Sequence, residues 1–123
     1  MKSRILLVED DELFQEIIAE CLTEVDVDIT LATDGLQAVA AAQEKCFDLI
    51  LMDMMMPHMG GLEATSKIRA LANEAHSKVP IIAVTARNPE TDQDIWFATG
   101  VDDFIGKPFS EDEFLEVIKR YIS

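Results

Sequence analysis

Short apolar runs alternate with stretches of helical periodicity along the chain. Three runs are continuous, Ile5–Val8, Leu49–Met52 and Pro80–Val84, and such runs are typical of strands that are buried on both faces. Val27–Ala32 instead alternates apolar and polar residues, which indicates a strand near the edge of a sheet. Phe104–Gly106 is a short fifth run. The pattern therefore predicts five strands.

A helical stretch follows each predicted strand. In the first of them, Phe14, Ile17, Ile18, Cys21 and Leu22 recur at helical spacing. Later helices are marked by capping signals, which are Asp34 with Gln37, Asn88 with Pro89, and Ser110 with Glu113. The later predicted helices cover about 34–45, 62–72, 88–100 and 110–122.

Five successive strand–helix units imply a parallel sheet with helices on both faces. We find no repeat, linker or low-complexity segment in the sequence. We therefore expect one α/β domain over residues 1–123.

Composition and charge narrow the class of protein. Hydrophobic residues make up 49% and charged residues 28%, which is the balance of a folded chain. The net charge of −14 repels phosphate backbones and anionic lipid, so we expect no direct contact with nucleic acid or membrane. Because Cys21 and Cys46 make no disulfide framework and no secretory leader is recognisable, we expect a cytoplasmic protein.

Polar residues stand at the ends of four apolar runs. They are Glu9–Asp11, Asp53, Thr85 and Lys107. In open parallel sheets, sites form beyond the carboxyl ends of the strands, so we expect these side chains to meet. Converging carboxylates repel one another unless a hard cation joins them, and oxygen ligands suit Mg²⁺, with Mn²⁺ as a second candidate.

The same residues are suited to phosphoryl transfer. An ammonium from Lys107 and a hydroxyl from Thr85 would hold phosphoryl oxygens beside a metal. Asp53, at the end of the central run, would be the nucleophile that becomes an acyl phosphate.

Four motifs, in this order on these elements, resemble those of the response-regulator receiver family. The resemblance extends from Ile5 to Ile122, and Gly61–Thr65 with Ile68–Arg69 is similar to receivers of hybrid histidine kinases and single-domain regulators. The motifs are Ile5–Asp11, Leu49–Pro57, Ile82–Ala86 and Asp103–Phe109.

This resemblance implies a flavodoxin-like fold with strand order 2-1-3-4-5, and a role for each site residue. Asp53 would accept a phosphoryl group from a phosphohistidine. The metal would be held by Asp10, the Asp53 carboxylate and the main-chain carbonyl of Met55 directly, and by Glu9 through water. Asp11 is not expected to be a ligand. The acyl phosphate would be held by Thr85 and Lys107, with Phe104 as the switch aromatic.

The family also implies the partners. A sensor histidine kinase or a histidine phosphotransfer protein would supply the phosphoryl group. Phosphorylation would then reshape the face of the fourth helix, fifth strand and fifth helix for a downstream protein or a second copy of the chain. Since no output domain follows Ser123 in this sequence, we expect protein binding as the output. We expect the protein to be a signalling switch with slow autodephosphorylation and not a metabolic enzyme.

Three rival functions are weaker. A haloacid-dehalogenase-type phosphohydrolase would need a second Asp two residues after Asp53, where Met55 stands. A flavodoxin-like FMN binder would need a Ser/Thr/Gly-rich loop where this chain has acids. A non-phosphorylated interaction module would not need Asp53, Thr85 and Lys107 together.

Several positions depart from the family pattern or stay open. Gly60 stands where the family commonly has Asp, and Phe104 replaces a frequent Tyr. Met55 and Arg87 occupy positions that tune hydrolysis of the acyl phosphate in this family. We expect His58 and His76 to face solvent. Ile95, Trp96 and Phe97 cannot all face the core, so Trp96 is either partly buried or part of a partner surface.

Overall fold

A computed structural model describes residues 2–56, 59–85 and 93–122 of the chain. Its strands are β1 (Ser3–Val8), β2 (Val27–Ala32), β3 (Leu49–Asp53), β4 (Ile81–Thr85) and β5 (Asp103–Gly106). Its main helices are α1 (Glu12–Cys21), α2 (Gly35–Glu44), α3 (Gly61–Arg69), α4 (Gln93–Thr99) and α5 (Glu111–Ile118). A 3-10 turn, Leu22–Glu24, and a four-residue helical turn, Glu74–Ser77, complete the described elements.

The five strands form one parallel sheet in the order β2-β1-β3-β4-β5, which confirms the expected order. The continuous apolar runs β1, β3 and β4 are interior strands, and the alternating run β2 is an edge strand, as its pattern predicts. β3 lies at the centre, and all five of its residues are buried.

The sheet divides the core into two apolar clusters because successive side chains of a strand point to opposite faces. Leu6 and Val8 belong to the α2–α3–α4 cluster, together with residues of those helices such as Ala38, Ile68 and Trp96. Ile5 and Leu7 belong to the α1–α5 cluster, which includes Ile18 of α1 and Phe114 and Ile118 of α5. Both faces of the sheet are therefore covered by helices.

The predicted capping residues form hydrogen bonds at their helices. Asp34 accepts from the backbone N–H of Gln37 at 2.9 Å, and Ser110 accepts from that of Glu113 at 3.1 Å. The Asn88–Pro89 cap lies outside the described residues. Helix α3 ends at Arg69, three residues before the predicted end.

Arg69 joins elements at the edge of the sheet opposite to the strand carboxyl ends. Its guanidinium donates to the carbonyls of Ser77, Val79 and Gly100 and to the carboxylate of Asp102, at 2.6 to 3.0 Å. Asp102 also accepts from the backbone N–H of Ile81 at 2.8 Å. This cluster fixes the end of α3 against the beginnings of β4 and β5.

Two expectations about individual side chains are resolved. The prediction for His76 is wrong, because the residue is half-buried and its Nδ1 lies 2.6 Å from the carbonyl oxygen of Ala42. Trp96 is 5% exposed, so the exposed apolar surface of α4 comes from Ile95 and Phe97 instead. His58 and Arg87 lie outside the described residues.

Within the described part of the chain, every helix is too short or too polar to cross a membrane.

Candidate functional site

β1 and β3 bring two acidic side chains to the same edge of the sheet. Glu9 directly follows β1, and its backbone N–H donates to the carbonyl of Ala32 at 3.0 Å, which extends the pairing with β2. Asp53 is the last residue of β3. Glu9 is fully buried and Asp53 is 5% exposed, so both carboxylates have lost most of their contact with water.

Asp10 completes a cluster of three carboxylates. One oxygen from each of Glu9, Asp10 and Asp53 lies within 4.8 Å of the others, and Asp10 is exposed. Asp11 has a separate role as the N-cap of α1, where it accepts from the backbone N–H of Leu13 at 2.9 Å. The backbone N–H of Asp11 also donates to Oε2 of Glu9 at 3.3 Å.

Lys107 places an ammonium beside these carboxylates. Its backbone N–H donates to the carbonyl of Thr85 at 2.7 Å, which fixes the residue where β5 ends. Its Nζ donates to Oε1 of Glu9 at 2.6 Å and lies 3.8 Å from Oδ2 of Asp53. The Lys107 side chain is 7% exposed, so this ion pair is buried.

The environment of Asp53 disfavours its ionised form. Burial is the main cause and, together with the adjacent Glu9 carboxyl, it raises the pKa of Asp53 to about 7. The backbone N–H of Met55, which donates to Oδ1 of Asp53 at 3.0 Å, and the charge of Lys107 act in the opposite direction. The ammonium of Lys107 therefore does not offset the combined effect of burial and the adjacent Glu9 carboxyl on Asp53.

The donor set fits a hard divalent cation. Among the described residues of the cluster, three carboxylates meet one ammonium, which leaves an excess of negative charge. An open cavity of about 240 Å³ gives access to them. Oxygen ligands without a soft donor suit Mg²⁺. The residues lining the cavity are Glu9, Asp10, Asp11, Phe14, Asp53, Met55 and Lys107.

Thr85 and Phe104 occupy neighbouring positions on the last two strands. Thr85 ends β4, is fully buried and pairs in register with Gly106. Phe104, on β5, is half-buried, and its ring centroid lies 6.4 Å from that of Phe97 on α4. The structure thus places Thr85 at the edge that carries Asp53 and Lys107, with Phe104 on the flank next to α4.

Sequence reasoning assigned Phe14 to the apolar stripe of the first helix and missed its place in the site. The Nζ of Lys107 lies 4.2 Å from the centroid of the Phe14 ring, and Phe14 lines the cavity. A signal was present, because Phe14 lies in the first turn of the helix that directly follows the acidic run.

Comparisons with known proteins agree with this fold. A protein-family model described as response regulator receiver domain matches residues 5–119. The transcription factor SKN7 of Candida albicans is 33% identical over 121 residues, which are 98% of this chain and 21% of that protein. Hybrid signal transduction histidine kinase I of Dictyostelium discoideum is 39% identical over 97% of this chain and 7% of that protein. The chain thus spans about a fifth or less of these relatives.

A solved structure resembles the whole chain. It is the receiver domain of a sensor histidine kinase from Pseudomonas aeruginosa, with a magnesium ion coordinated in its active site cleft. It is 38% identical, the match covers 99% of this chain and 98% of that one, and the TM-score is 0.88.

Proposed function

Because the chain belongs to the response-regulator receiver family of two-component systems, we propose that residues 1–123 form one phosphoacceptor domain. In this proposal Asp53 takes a phosphoryl group from the phosphohistidine of a histidine kinase or a histidine phosphotransfer protein. The observation that carries it is the buried Asp53 carboxylate, which lies beside Glu9, Asp10 and Lys107.

The transfer needs Asp53 in its ionised form. A carboxylate oxygen of Asp53 attacks phosphorus, the P–N bond of the phosphohistidine breaks, and the imidazole nitrogen keeps the electron pair. Glu9, Asp10, Asp53 and the main-chain carbonyl of Met55 are proposed to hold Mg²⁺. When bound, Mg²⁺ supplies positive charge that favours ionised Asp53 and neutralises phosphoryl oxygens.

Lys107 and Thr85 are proposed to hold the acyl phosphate. The Lys107 ammonium, now 3.8 Å from Asp53, has N–H groups beyond the one it donates to Glu9. Thr85 offers a hydroxyl from the end of the adjacent strand. Met55, 54% exposed at the cavity, places an apolar side chain where water would enter, which favours slow autodephosphorylation.

The proposed output surface comprises α4, β5 and α5. Phosphorylation favours a conformation in which Thr85 and Phe104 have moved towards the site, which changes the packing of Phe104 against Phe97. Ile95 and Phe97 are 55% and 40% exposed and supply apolar area for a downstream protein or a second copy of the chain.

Covalent labelling tests the proposal. Incubation with acetyl phosphate and Mg²⁺ is expected to add one phosphoryl group, detected by intact mass, and Asp53→Asn is expected to add none. Millimolar Mg²⁺ alone should raise the Tm of the protein, because it binds the native state. A protein that is stabilised by Mg²⁺ but stays unlabelled by acetyl phosphate and by a phosphohistidine donor would overturn the phosphoacceptor function.

A further inference from the structure

The Lys107 ammonium has an aromatic ring among its neighbours. Its Nζ lies 2.6 Å from a carboxylate oxygen of Glu9 and 3.8 Å from one of Asp53. The ring centroid of Phe14 lies 4.2 Å from the same nitrogen. A cation at this distance from the face of an aromatic ring is attracted by the negative charge of the π system.

The Phe14 ring is supported by other aromatic side chains. Its centroid lies 6.4 Å from that of Phe109, and Phe109 stacks on Phe114 at 5.1 Å. Phe114 is fully buried in the α1–α5 cluster, and Asp11 caps the helix turn that carries Phe14. The ring is therefore held from the protein side while its other side lines the cavity.

An aromatic ring suits the position beside the Lys107 ammonium better than a polar side chain would. A further carboxylate would add negative charge beside Glu9, Asp10 and Asp53, whose oxygens are already within 4.8 Å of one another. A hydroxyl or amide would compete for the N–H groups of Lys107 that face Asp53. The ring attracts the ammonium, excludes water from one side of it and offers no conventional acceptor.

We propose that Phe14 is a positioning residue that holds the Lys107 ammonium towards Asp53 through a cation–π contact. This inference rests on the proposed phosphoacceptor function. It goes beyond that function by adding a residue of α1 to the phosphorylation site. The competing interpretation is that Phe14 only fills space between α1 and α5.

Fluorinated phenylalanines separate these two roles. Incorporation of mono-, di- and trifluorophenylalanine at position 14 withdraws negative charge from the ring face while its shape stays almost constant. The matched control is the same series at Phe47, which is buried in the α2–α3–α4 cluster on the other side of the sheet. Phe14→Leu removes the ring.

Two readouts are required. The first is the NMR chemical shift of the Lys107 ε-methylene protons, measured without any phosphodonor. The ring current of Phe14 is expected to move this signal upfield, and Phe14→Leu should return it to the position usual for lysine. The second is the initial rate of Asp53 phosphorylation by acetyl phosphate at saturating Mg²⁺. We expect this rate to fall stepwise with fluorination at position 14, to about three- to tenfold below wild type, and to stay constant across the Phe47 series.

Other results of these two measurements would overturn the positioning role of Phe14. Equal rates across the position 14 fluorine series, with a slow Phe14→Leu variant, would show that Phe14 only packs, and would overturn the inference. A Lys107 signal without a ring-current shift would overturn the contact itself. If wild-type protein with the expected shift is not phosphorylated, the proposed function fails, and the positioning role for phosphorylation fails with it.

Discussion

Gly61 lies where α3 meets the backbone that carries Asp53, and Gly61→Ala tests how tightly the two are packed. A Cβ atom at Gly61 would lie 2.4 Å from the carbonyl oxygen of Asp53 and 2.9 Å from Cα of Met54. Both are backbone atoms, so no side-chain rotation relieves the contact. The separation must increase by about 1 Å to reach ordinary van der Waals distance.

Two effects of opposite sign determine the outcome of Gly61→Ala. Alanine is favoured over glycine inside a helix by up to about 1 kcal/mol, and less in the first turn. Overpacking against rigid backbone costs about 1–3 kcal/mol. The clash is expected to prevail, with a net loss of about 1–2 kcal/mol in the free energy of unfolding, or roughly 3–10 °C in Tm.

Urea unfolding followed by circular dichroism measures this difference, with the m-value checked for constancy. Gly60→Ala is the matched control, because a Cβ at Gly60 would have Met54 oxygen as its nearest neighbour, at an ordinary 3.6 Å. A Gly61→Ala variant as stable as wild type would refute the close approach of α3 to β3.

Two further predictions concern electrostatics. Without Mg²⁺, the free energy of unfolding should decrease as pH rises from about 4 to about 7, because Asp53 is then ionised in the unfolded state but still protonated in the folded state, where its pKa is raised to about 7. Asp53→Asn should remove this component, and identical pH profiles of Tm for both proteins would contradict it. Arg69→Lys should cost about 2–4 kcal/mol in urea unfolding, because lysine cannot satisfy the four acceptors that the partly buried guanidinium joins. The half-exposed Arg120→Lys should change stability by less than about 1 kcal/mol, and an equal loss in both variants would reject the bridging role of Arg69.

The sequence was informative wherever a local pattern decides the structure. β1, β3 and β4 are buried on both faces, so each is a continuous apolar run, and Asp34 and Ser110 cap helices through bonds to residues three positions away. The strand order was available only from the family resemblance, because periodicity does not specify which strands become neighbours.

Two kinds of feature were missed, which are a helical turn too short to give a periodic signal and contacts between residues that are distant in the sequence. The helical turn Glu74–Ser77 is too short for a periodic signal, although Asn73 caps it by accepting from the backbone N–H of Ala75 at 3.0 Å. His76 is half-buried because it contacts the carbonyl of Ala42 in α2. Phe14 fits the helical stripe, and its contact with Lys107 joins the two ends of the chain.

The division of the core by the sheet affects how such a sequence can diverge. Ile5 and Leu6 are adjacent in the chain, yet Ile5 packs in the α1–α5 cluster and Leu6 in the α2–α3–α4 cluster. Volume changes in one cluster are compensated by contacting residues of that cluster, whereas changes at distant positions of different clusters, without shared partners, combine nearly independently. A lineage can therefore remodel the layer beneath α4, and with it the partners that α4 selects, while the layer that carries Phe14 is inherited unchanged.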